Sequence, residues 1–178
     1  LNYVEVVKIN KGNDNMVSGI EVKESTSKFI YKIKSKVVVN ATGVFSDSIM
    51  QMDEPKSSKM IQPSQGVHIV IEKKFLNSPH AIMIPHTTDG RVLFAVPWQN
   101  YVILGTTDTV VNIAKSEPKA LDSEIEFILS NAGDYMKSKP KKKDIKSVFV
   151  GLRPLAVTND KSEPTKEISR HHKIKISA

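Results

Sequence analysis

The chain has 178 residues, which is enough for one domain with a sizeable core or for two small domains. Its 26 basic and 19 acidic residues give a formal net charge of +7, which favours anionic partners such as phosphorylated metabolites or acidic lipid. The chain has no cysteine, which excludes disulfides, thiolate catalysis and zinc–thiolate sites.

The composition also disfavours nucleic-acid binding and a membrane span. The main basic run, "KSKPKKKD" at 137–144, contains no aromatic residue and is typical of a solvated loop, whereas nucleic-acid binding needs basic residues interleaved with aromatics. No apolar run approaches the ~18 residues that a spanning helix requires. The start lacks the pattern of a signal peptide and both ends resemble strands, so we expect a piece of a longer protein.

The first 52 residues are predicted to form a run of strands followed by a short helix. The strands are expected in 4–9, "MVSGIEVKE" (16–24), "KFIYKIK" (28–34) and "KVVVNATG" (36–43), with a turn at "KGNDN" (11–15). The three consecutive valines at 37–39 predict a strand that is covered on both faces, as in an α/β sheet. "VFSDSIMQM" (44–52) is predicted to be helical.

The rest of the chain is predicted to form a mixed sheet with helices. The elements expected are a linker (53–66), strands "VHIVIEKKF" (67–75) and "AIMIPH" (81–86), a hairpin of "RVLFAV" and "YVILGT" joined by "PWQN" (91–106), a helix (122–138), a strand turning at Arg153-Pro154 (145–157) and a last strand (166–177). Ser123 and Glu126 form a candidate capping box for the helix. This pattern predicts an α+β fold divided near residue 52.

Three arginines stand among twenty-three lysines, which makes the positions of the arginines informative. Arg91 precedes a strand in a turn and is interpreted as structural. Arg153 in "GLRPL" and Arg170 in "ISRHH" lie in strand-like segments. A guanidinium binds phosphate or carboxylate through two parallel hydrogen bonds, which an ammonium group does not do. The two residues are candidates to hold a small dianion, and a surface ion pair is the alternative for each of them.

Among the five histidines, His68 is the candidate acid/base because it interrupts an apolar strand directly after Gly66-Val67. A hydrogen-bonded structural histidine is the alternative. His171 and His172 are adjacent on a predicted strand and point to opposite faces, so they cannot share a metal. No helical metal-site spacing, P-loop, nucleophile elbow or G-x-G-x-x-G motif occurs, and no metal is expected.

Several motifs in series carry a family resemblance. "VVNATG", "GVHIVI", "DGRVLFAVPW", "LGTTD", "GLRPL" and "ISRHH" occur in this order, and over residues from about 4 to 176 the chain resembles FAD-dependent glycerol-3-phosphate dehydrogenases of the D-amino-acid-oxidase-like flavoprotein superfamily. "VVNATG" is common to the superfamily, and the later motifs are more specific. The chain differs from the family at Val44-Phe45, where "PW" is frequent, and at Gln65, where a small residue is frequent.

The resemblance implies a chemistry and a set of site residues. The full enzyme would oxidise sn-glycerol 3-phosphate to dihydroxyacetone phosphate by hydride transfer to FAD and pass the electrons to quinone. Arg153 and Arg170 match the arginines that bind the substrate phosphate, and His68 matches a histidine near the substrate and the flavin. Ala41, Thr42 and Gly43 match the segment that lies against the cofactor, whereas the residues alone favour a turn between strand and helix.

The resemblance also implies the organisation of the chain. Residues 1–52 would be the end of an FAD-binding α/β domain, and 53–178 a substrate-binding domain, cut short at its C-terminal end, with a mixed and mainly antiparallel sheet. The Gly-rich dinucleotide fingerprint and the "GGKxTT"-type segment are absent, so we expect this piece to be inactive alone and to bind FAD weakly or not at all. A cytoplasmic location, with peripheral attachment to the cytoplasmic membrane, is a further implication.

Two other functions remain open at this point. A related oxidase of amino acids or amines would use one arginine for a substrate carboxylate and has less need of a second. A non-catalytic domain that binds an anion or a partner chain would also account for the missing cofactor fingerprint. Substitution of Arg153 in the intact enzyme separates this last alternative from the dehydrogenase.

Overall fold

The computed structural model describes residues 1–157 and 174–176, in which strands predominate over helices. The described elements are β1 Val4–Lys11, β2 Val17–Glu24, β3 Ile30–Lys34, α1 Ser46–Asp53, β4 Ile61–Glu72, β5 Ile82–Ile84, β6 Leu93–Trp98, β7 Tyr101–Gly105, β8 Thr109–Val110, α2 Asp122–Gly133 and β9 Ser147–Ala156. The chain divides into two compact units, one of residues 1–62 with 154–178 and the other of residues 63–153. Each unit is described by itself.

The first unit contains a three-stranded antiparallel sheet in the order β1-β2-β3. The predicted turn joins β1 to β2, where the Gly12 amide donates to the Met16 carbonyl at 2.8 Å. Helix α1 is fastened to the segment that follows it, because the Asp47 carboxylate accepts hydrogen bonds from the amides of Met60 (2.9 Å) and Ile61 (3.2 Å). The three predicted strands and the helix in residues 44–52 are therefore confirmed.

The prediction of a buried strand at 36–43 is wrong for the described chain. Residues 36–42 have no regular secondary structure, and Val37 and Val39 are 73% and 83% exposed. A run of β-branched residues forms a two-sided strand only where neighbouring strands take up its backbone hydrogen bonds. Among residues 1–157 no strand pairs with this run. Gly43 then adopts a φ of +60°, which glycine tolerates best, and opens a single 3-10 turn before α1.

The second unit is built on a six-stranded sheet in the order β5-β6-β7-β4-β8, with β9 also paired to β4. The pairs of β4 with β7 and β8, of β5 with β6 and of β6 with β7 are antiparallel, which confirms the predicted mainly antiparallel sheet. The predicted hairpin is confirmed as β6 and β7, but pairing continues to Trp98 and Tyr101, so the turn consists of Gln99 and Asn100 alone.

One face of this sheet packs against α2. Alternation along β4 buries Val67, Ile69 and Ile71 completely, as the sequence predicts. The same core contains Ile84, Leu93, Ala95, Val102, Leu104, Ile128 and Ala132. Burial of each large apolar side chain contributes about 1.5–3 kcal/mol. No helix in the described ranges is long and apolar enough to cross a membrane.

Three local predictions are corrected. The linker of 53–66 ends early, because β4 begins at Ile61 and buries Ser64 and Gln65. The turn at Arg153-Pro154 is absent: β9 continues to Ala156, since the fixed φ of proline is compatible with an extended strand. The capping box of Ser123 and Glu126 is wrong, because the helix begins two residues earlier than that pattern requires: Leu121 is the N-cap, and Glu124 accepts from its amide at 2.8 Å.

Candidate active site

The candidate site lies on the face of the second unit's sheet that is opposite the core. Strand β4 alternates, so Gly66 and His68 point away from the core while Val67 and Ile69 point into it. Along β9 the same alternation puts Phe149, Gly151 and Arg153 on one face. The sheet therefore brings the predicted residues His68 and Arg153 together on neighbouring strands.

The guanidinium of Arg153 lies directly over Gly66. A Cβ atom added to Gly66 would be 2.5 Å from Nη2 and 2.7 Å from Nη1 of Arg153, closer than any real contact of this kind. Glycine at this position thus provides the space in which the guanidinium sits. Because the guanidinium packs directly against the backbone of residue 66, β4 contains a glycine in its interior.

Three groups on the segment between β7 and β8 orient Arg153. Its Nη1 donates to the Thr107 carbonyl at 3.1 Å, its Nη2 donates to the Thr106 hydroxyl at 3.0 Å, and Asp108 Oδ1 lies 3.7 Å from Nη1. The side chain remains 27% exposed. A guanidinium has five N–H donors. The hydrogen bonds to Thr106 and Thr107 use two of them, so within the described residues three remain for an anion. Arg153 is therefore both fixed in position and able to bind a ligand.

His68 is fixed from two sides. A Cβ on Gly105, its partner on β7, would be 2.8 Å from Cγ of the imidazole. The ring of Phe149 stacks on the imidazole with centroids 4.9 Å apart and planes inclined by 8°. A second glycine therefore creates the space for the second candidate side chain, and an aromatic ring fixes its orientation.

The environment of His68 keeps its ring neutral. Burial lowers the pKa of His68 below its ordinary value of 6.5, and the positive charge of Arg153 lowers this pKa further. A neutral imidazole has a free ring nitrogen that can accept a proton. The pair thus offers an anion-binding cation beside a base, which is the combination needed to deprotonate a substrate that carries an acidic group.

The "GTTD" segment that supports Arg153 is itself fixed by hydrogen bonds to β4 and α2. The Val67 amide donates to the Thr107 hydroxyl at 3.0 Å, and that hydroxyl donates to Glu124 on α2 at 3.1 Å. The Asp108 carboxylate accepts a hydrogen bond from the Ser64 hydroxyl. The segment 105–108 thus forms the support of the arginine.

The candidate cofactor residues Ala41, Thr42 and Gly43 belong to the first unit. Asn40 fixes this segment, because its amide donates to the Ser46 carbonyl at 2.8 Å and its oxygen accepts from the Thr42 hydroxyl at 2.8 Å. Ala41 and Thr42 are exposed, and no heavy atom lies within 4 Å of a Cβ built on Gly43. Such a small, open backbone segment fits the close approach of a flat ring, and its contact with FAD stays a prediction.

Arg170, His171 and His172 lie outside the described residues, so the proposed pairing of two arginines stays a prediction. Arg91 is ion-paired to Asp89 at 3.0 Å, in agreement with its structural interpretation. Within 1–157 and 174–176 no three His, Asp or Glu side chains form a group that could hold a metal ion. Sequence reasoning missed Phe149, although Phe-x-Gly-x-Arg on one strand is an alternating pattern that could have revealed it.

Comparison with known proteins gives consistent results. A family model described as "FAD dependent oxidoreductase" matches residues 1–172. "Glycerol-3-phosphate dehydrogenase, mitochondrial" of Homo sapiens is 37% identical over 183 aligned positions, covering 99% of this chain and 25% of the human protein. "Probable glycerol-3-phosphate dehydrogenase, mitochondrial" of Caenorhabditis elegans is 38% identical over 178 positions, covering 98% of this chain and 24% of the worm protein.

A solved structure agrees in fold. The glycerol-3-phosphate dehydrogenase from Bacillus halodurans, complexed with FAD, superposes with a TM-score of 0.81 at 30% identity, over 90% of this chain and 32% of the bacterial one. The chain thus spans about a quarter of the length of the curated relatives that it matches.

Proposed function

The chain belongs to the family of FAD-dependent oxidoreductases, and from this premise we propose that its protein oxidises sn-glycerol 3-phosphate to dihydroxyacetone phosphate with FAD as the hydride acceptor. One observation carries the proposal: Arg153, whose N–H donors are not all used by the described residues, lies on the same sheet face as the neutral base His68. The names of the human, worm and bacterial relatives support the choice of substrate.

Arg153 binds the phosphoryl group of the substrate. A phosphate dianion and a guanidinium form charge-assisted, often bidentate, hydrogen bonds, which fix the orientation of the substrate as well as its position. The bonds to Thr106 and Thr107 hold the guanidinium before the substrate arrives, so little side-chain entropy is lost on binding. We propose Arg170 as the second cation of this phosphate site.

His68 accepts the proton of the C2 hydroxyl. When bound, FAD would accept the hydride that leaves C2. His68 would take the hydroxyl proton, so that C2 becomes the carbonyl carbon of a ketone. The imidazole suits this role because its lowered pKa leaves it unprotonated near pH 7. Phe149 and Gly105 fix the plane of the ring, which favours one direction of approach to the hydroxyl.

We propose that one part of the chain contributes to FAD binding and the other to substrate binding. Residues 1–52 supply the end of the FAD-binding domain, with Ala41, Thr42 and Gly43 against the cofactor, and residues 53–178 supply the substrate-binding domain. The compact unit of residues 63–153 contains both His68 and Arg153, which supports a separate substrate-binding part, whereas residues 53–62 cluster with the first unit.

Quinone is the proposed final electron acceptor, with the protein bound peripherally to a membrane. Quinones dissolve in the bilayer, and a net charge of +7 is compatible with an anionic lipid surface. The cytoplasmic location that the resemblance implies stays a prediction, since the names of the human and worm relatives include the word "mitochondrial". Fractionation of cells and assay of quinone reduction by isolated membranes test both points.

One observation favours a second candidate, an oxidase of amino acids or amines. Among the described residues Arg153 is the one guanidinium at the site, and a single guanidinium binds a carboxylate as well as a phosphate. The two candidates differ in the acidic group of the substrate, so a substrate panel separates them.

The decisive experiment follows the flavin absorbance of the FAD-loaded full-length enzyme under anaerobic conditions. We expect glycerol 3-phosphate to bleach the flavin, and glycerol, glycine and sarcosine to leave it oxidised at the same concentration. Bleaching by glycine or sarcosine, with no response to glycerol 3-phosphate, would support the amine or amino-acid oxidase and refute the dehydrogenase.

A further inference from the structure

Glu124 is a buried carboxylate to which the proposed reaction assigns no role. It belongs to the first turn of α2 and is only 4% exposed. It accepts four hydrogen bonds, from Gln65 Nε2 (2.7 Å), the Leu121 amide (2.8 Å), the Thr107 hydroxyl (3.1 Å) and the Thr109 hydroxyl (2.7 Å). A buried carboxylate is costly unless it is satisfied in this way.

Helix capping accounts for only one of these bonds. The Leu121 amide is the donor that a glutamate in the first helical turn usually satisfies. The other three donors are Gln65 on β4, Thr107 on the segment between β7 and β8, and Thr109 on β8. These three bonds satisfy the buried carboxylate, and because their donors lie outside α2 they also connect the helix to the sheet.

The connection leads to Arg153 through Thr107. A hydroxyl has one hydrogen, and because Thr107 donates it to Glu124, its oxygen is free to accept from the Val67 amide at 3.0 Å. These two bonds fix the side chain of Thr107, and with it the carbonyl that accepts from Arg153 Nη1. Movement of Thr107 would therefore move the guanidinium.

We propose that Glu124 is a positioning residue for Arg153, acting through Thr107 to hold the guanidinium in the geometry that binds the substrate phosphate. It does not touch the substrate. The inference rests on the proposed function for the identity of the ligand, but the coupling of Glu124 to Arg153 is a property of the fold that can be measured without a substrate.

The first test compares kinetic constants in the FAD-loaded full-length enzyme. Glu124→Gln keeps the shape of the side chain but turns an N–H₂ group toward two of the four donors. We expect KM for glycerol 3-phosphate to rise ~10-fold with kcat within ~2-fold, since the loss concerns binding of the phosphate. Thr107→Val, which removes the hydroxyl, should behave alike, and Thr107→Ser, which keeps it, should restore a KM near that of the wild type.

A double-mutant cycle separates positioning from stability. In an Arg153→Ala background, Glu124→Gln should change KM less than ~2-fold, because the residue it positions is gone. Asn131→Ala is the matched control: Asn131 is buried on the same helix and accepts from the Thr88 amide at 2.9 Å, so its loss should lower Tm without changing KM. An undiminished effect of Glu124→Gln without Arg153, or a lower Tm with unchanged KM, overturns the proposal.

A second readout needs no substrate. Because the charge of Arg153 lowers the pKa of His68, displacement of the guanidinium should raise that pKa, which NMR of histidine-labelled holoenzyme measures. We expect Glu124→Gln and Thr107→Val to raise it when Arg153 is present and not in the Arg153→Ala background. If glycerol 3-phosphate is not a substrate, the proposed function fails, but this titration still tests whether Glu124 positions Arg153. An unchanged pKa of His68 in both variants would overturn the role of Glu124.

Discussion

The guanidinium of Arg153 occupies the space above Gly66 that a side chain would otherwise fill. The two residues come from different strands, β9 and β4, and the contact exists only because one of them has no Cβ. The bonds to Thr106 and Thr107 then hold the guanidinium in that space. The glycine is therefore as much a part of the proposed anion site as the arginine.

Gly66→Ala is expected to raise KM for glycerol 3-phosphate by about 10- to 100-fold, because the methyl group must displace the guanidinium from its hydrogen bonds. Gly151→Ala is the control, since a Cβ at that position meets no heavy atom within 4 Å. Steady-state kinetics of the FAD-loaded enzyme measure both. Equal values of KM for the two variants would show that the space above Gly66 has no functional importance.

Arg153→Ala should weaken substrate binding more than any other single change at the site. Loss of a bidentate charged contact costs about 2–4 kcal/mol, or roughly a 30- to 1,000-fold rise in KM. Arg153→Lys should fall between wild type and Arg153→Ala, because the charge remains but the planar fork is lost. Arg91→Ala serves as the control, since Arg91 pairs with Asp89 in a loop. If KM does not change in Arg153→Ala, Arg153 has no part in substrate binding.

The features that were predicted correctly from sequence depend on neighbours along the chain. Alternation along β4 identified Val67, Ile69 and Ile71 as core residues, and all three are fully buried. The same alternation singled out His68 as a polar residue on the other face. Local periodicity is enough for such predictions, because every second side chain of a strand points to the same face of the sheet.

The features that were missed depend on partners distant in sequence. Val37 and Val39 have the composition of a buried strand, but burial also needs pairing strands, and the described residues supply none. Glu124 gave no signal, because its role arises from donors at positions 65, 107 and 109 that only the folded chain brings together. Periodicity does not encode such contacts.

The 178-residue chain expressed by itself should retain little FAD. The cofactor pyrophosphate is usually held at a helix N-terminus that follows a glycine-rich turn, and this sequence contains no such fingerprint. Absorbance at the flavin maximum and the ratio of FAD to protein after gel filtration measure retention, with the full-length enzyme as the control. A yellow preparation with one FAD per chain would contradict the expectation and would require a pyrophosphate site within these residues.

The acid limb of the pH profile should report on His68. Because burial and Arg153 lower its pKa below 6.5, kcat/KM should be constant from pH 7 down to that lowered pKa and then fall about tenfold per pH unit as the imidazole is protonated. Arg153→Ala should move this limb to higher pH, since a nearby positive charge is removed. His68→Asn should abolish the limb along with most of the activity, and a limb that persists in this variant would assign the titration to another group.

The free energy of unfolding should also depend on the protonation of His68. Folding lowers the pKa of His68, so the unfolded chain binds the proton more tightly than the folded one. The contribution of His68 to the free energy of unfolding is therefore fully present above pH 6.5 and is lost as the pH falls toward the folded pKa. Urea unfolding at pH 7.5 and at pH 5, compared between wild type and His68→Asn, measures the difference. The wild type should lose more stability than the variant over this interval, and an equal loss would mean that the folded environment does not disfavour protonated His68.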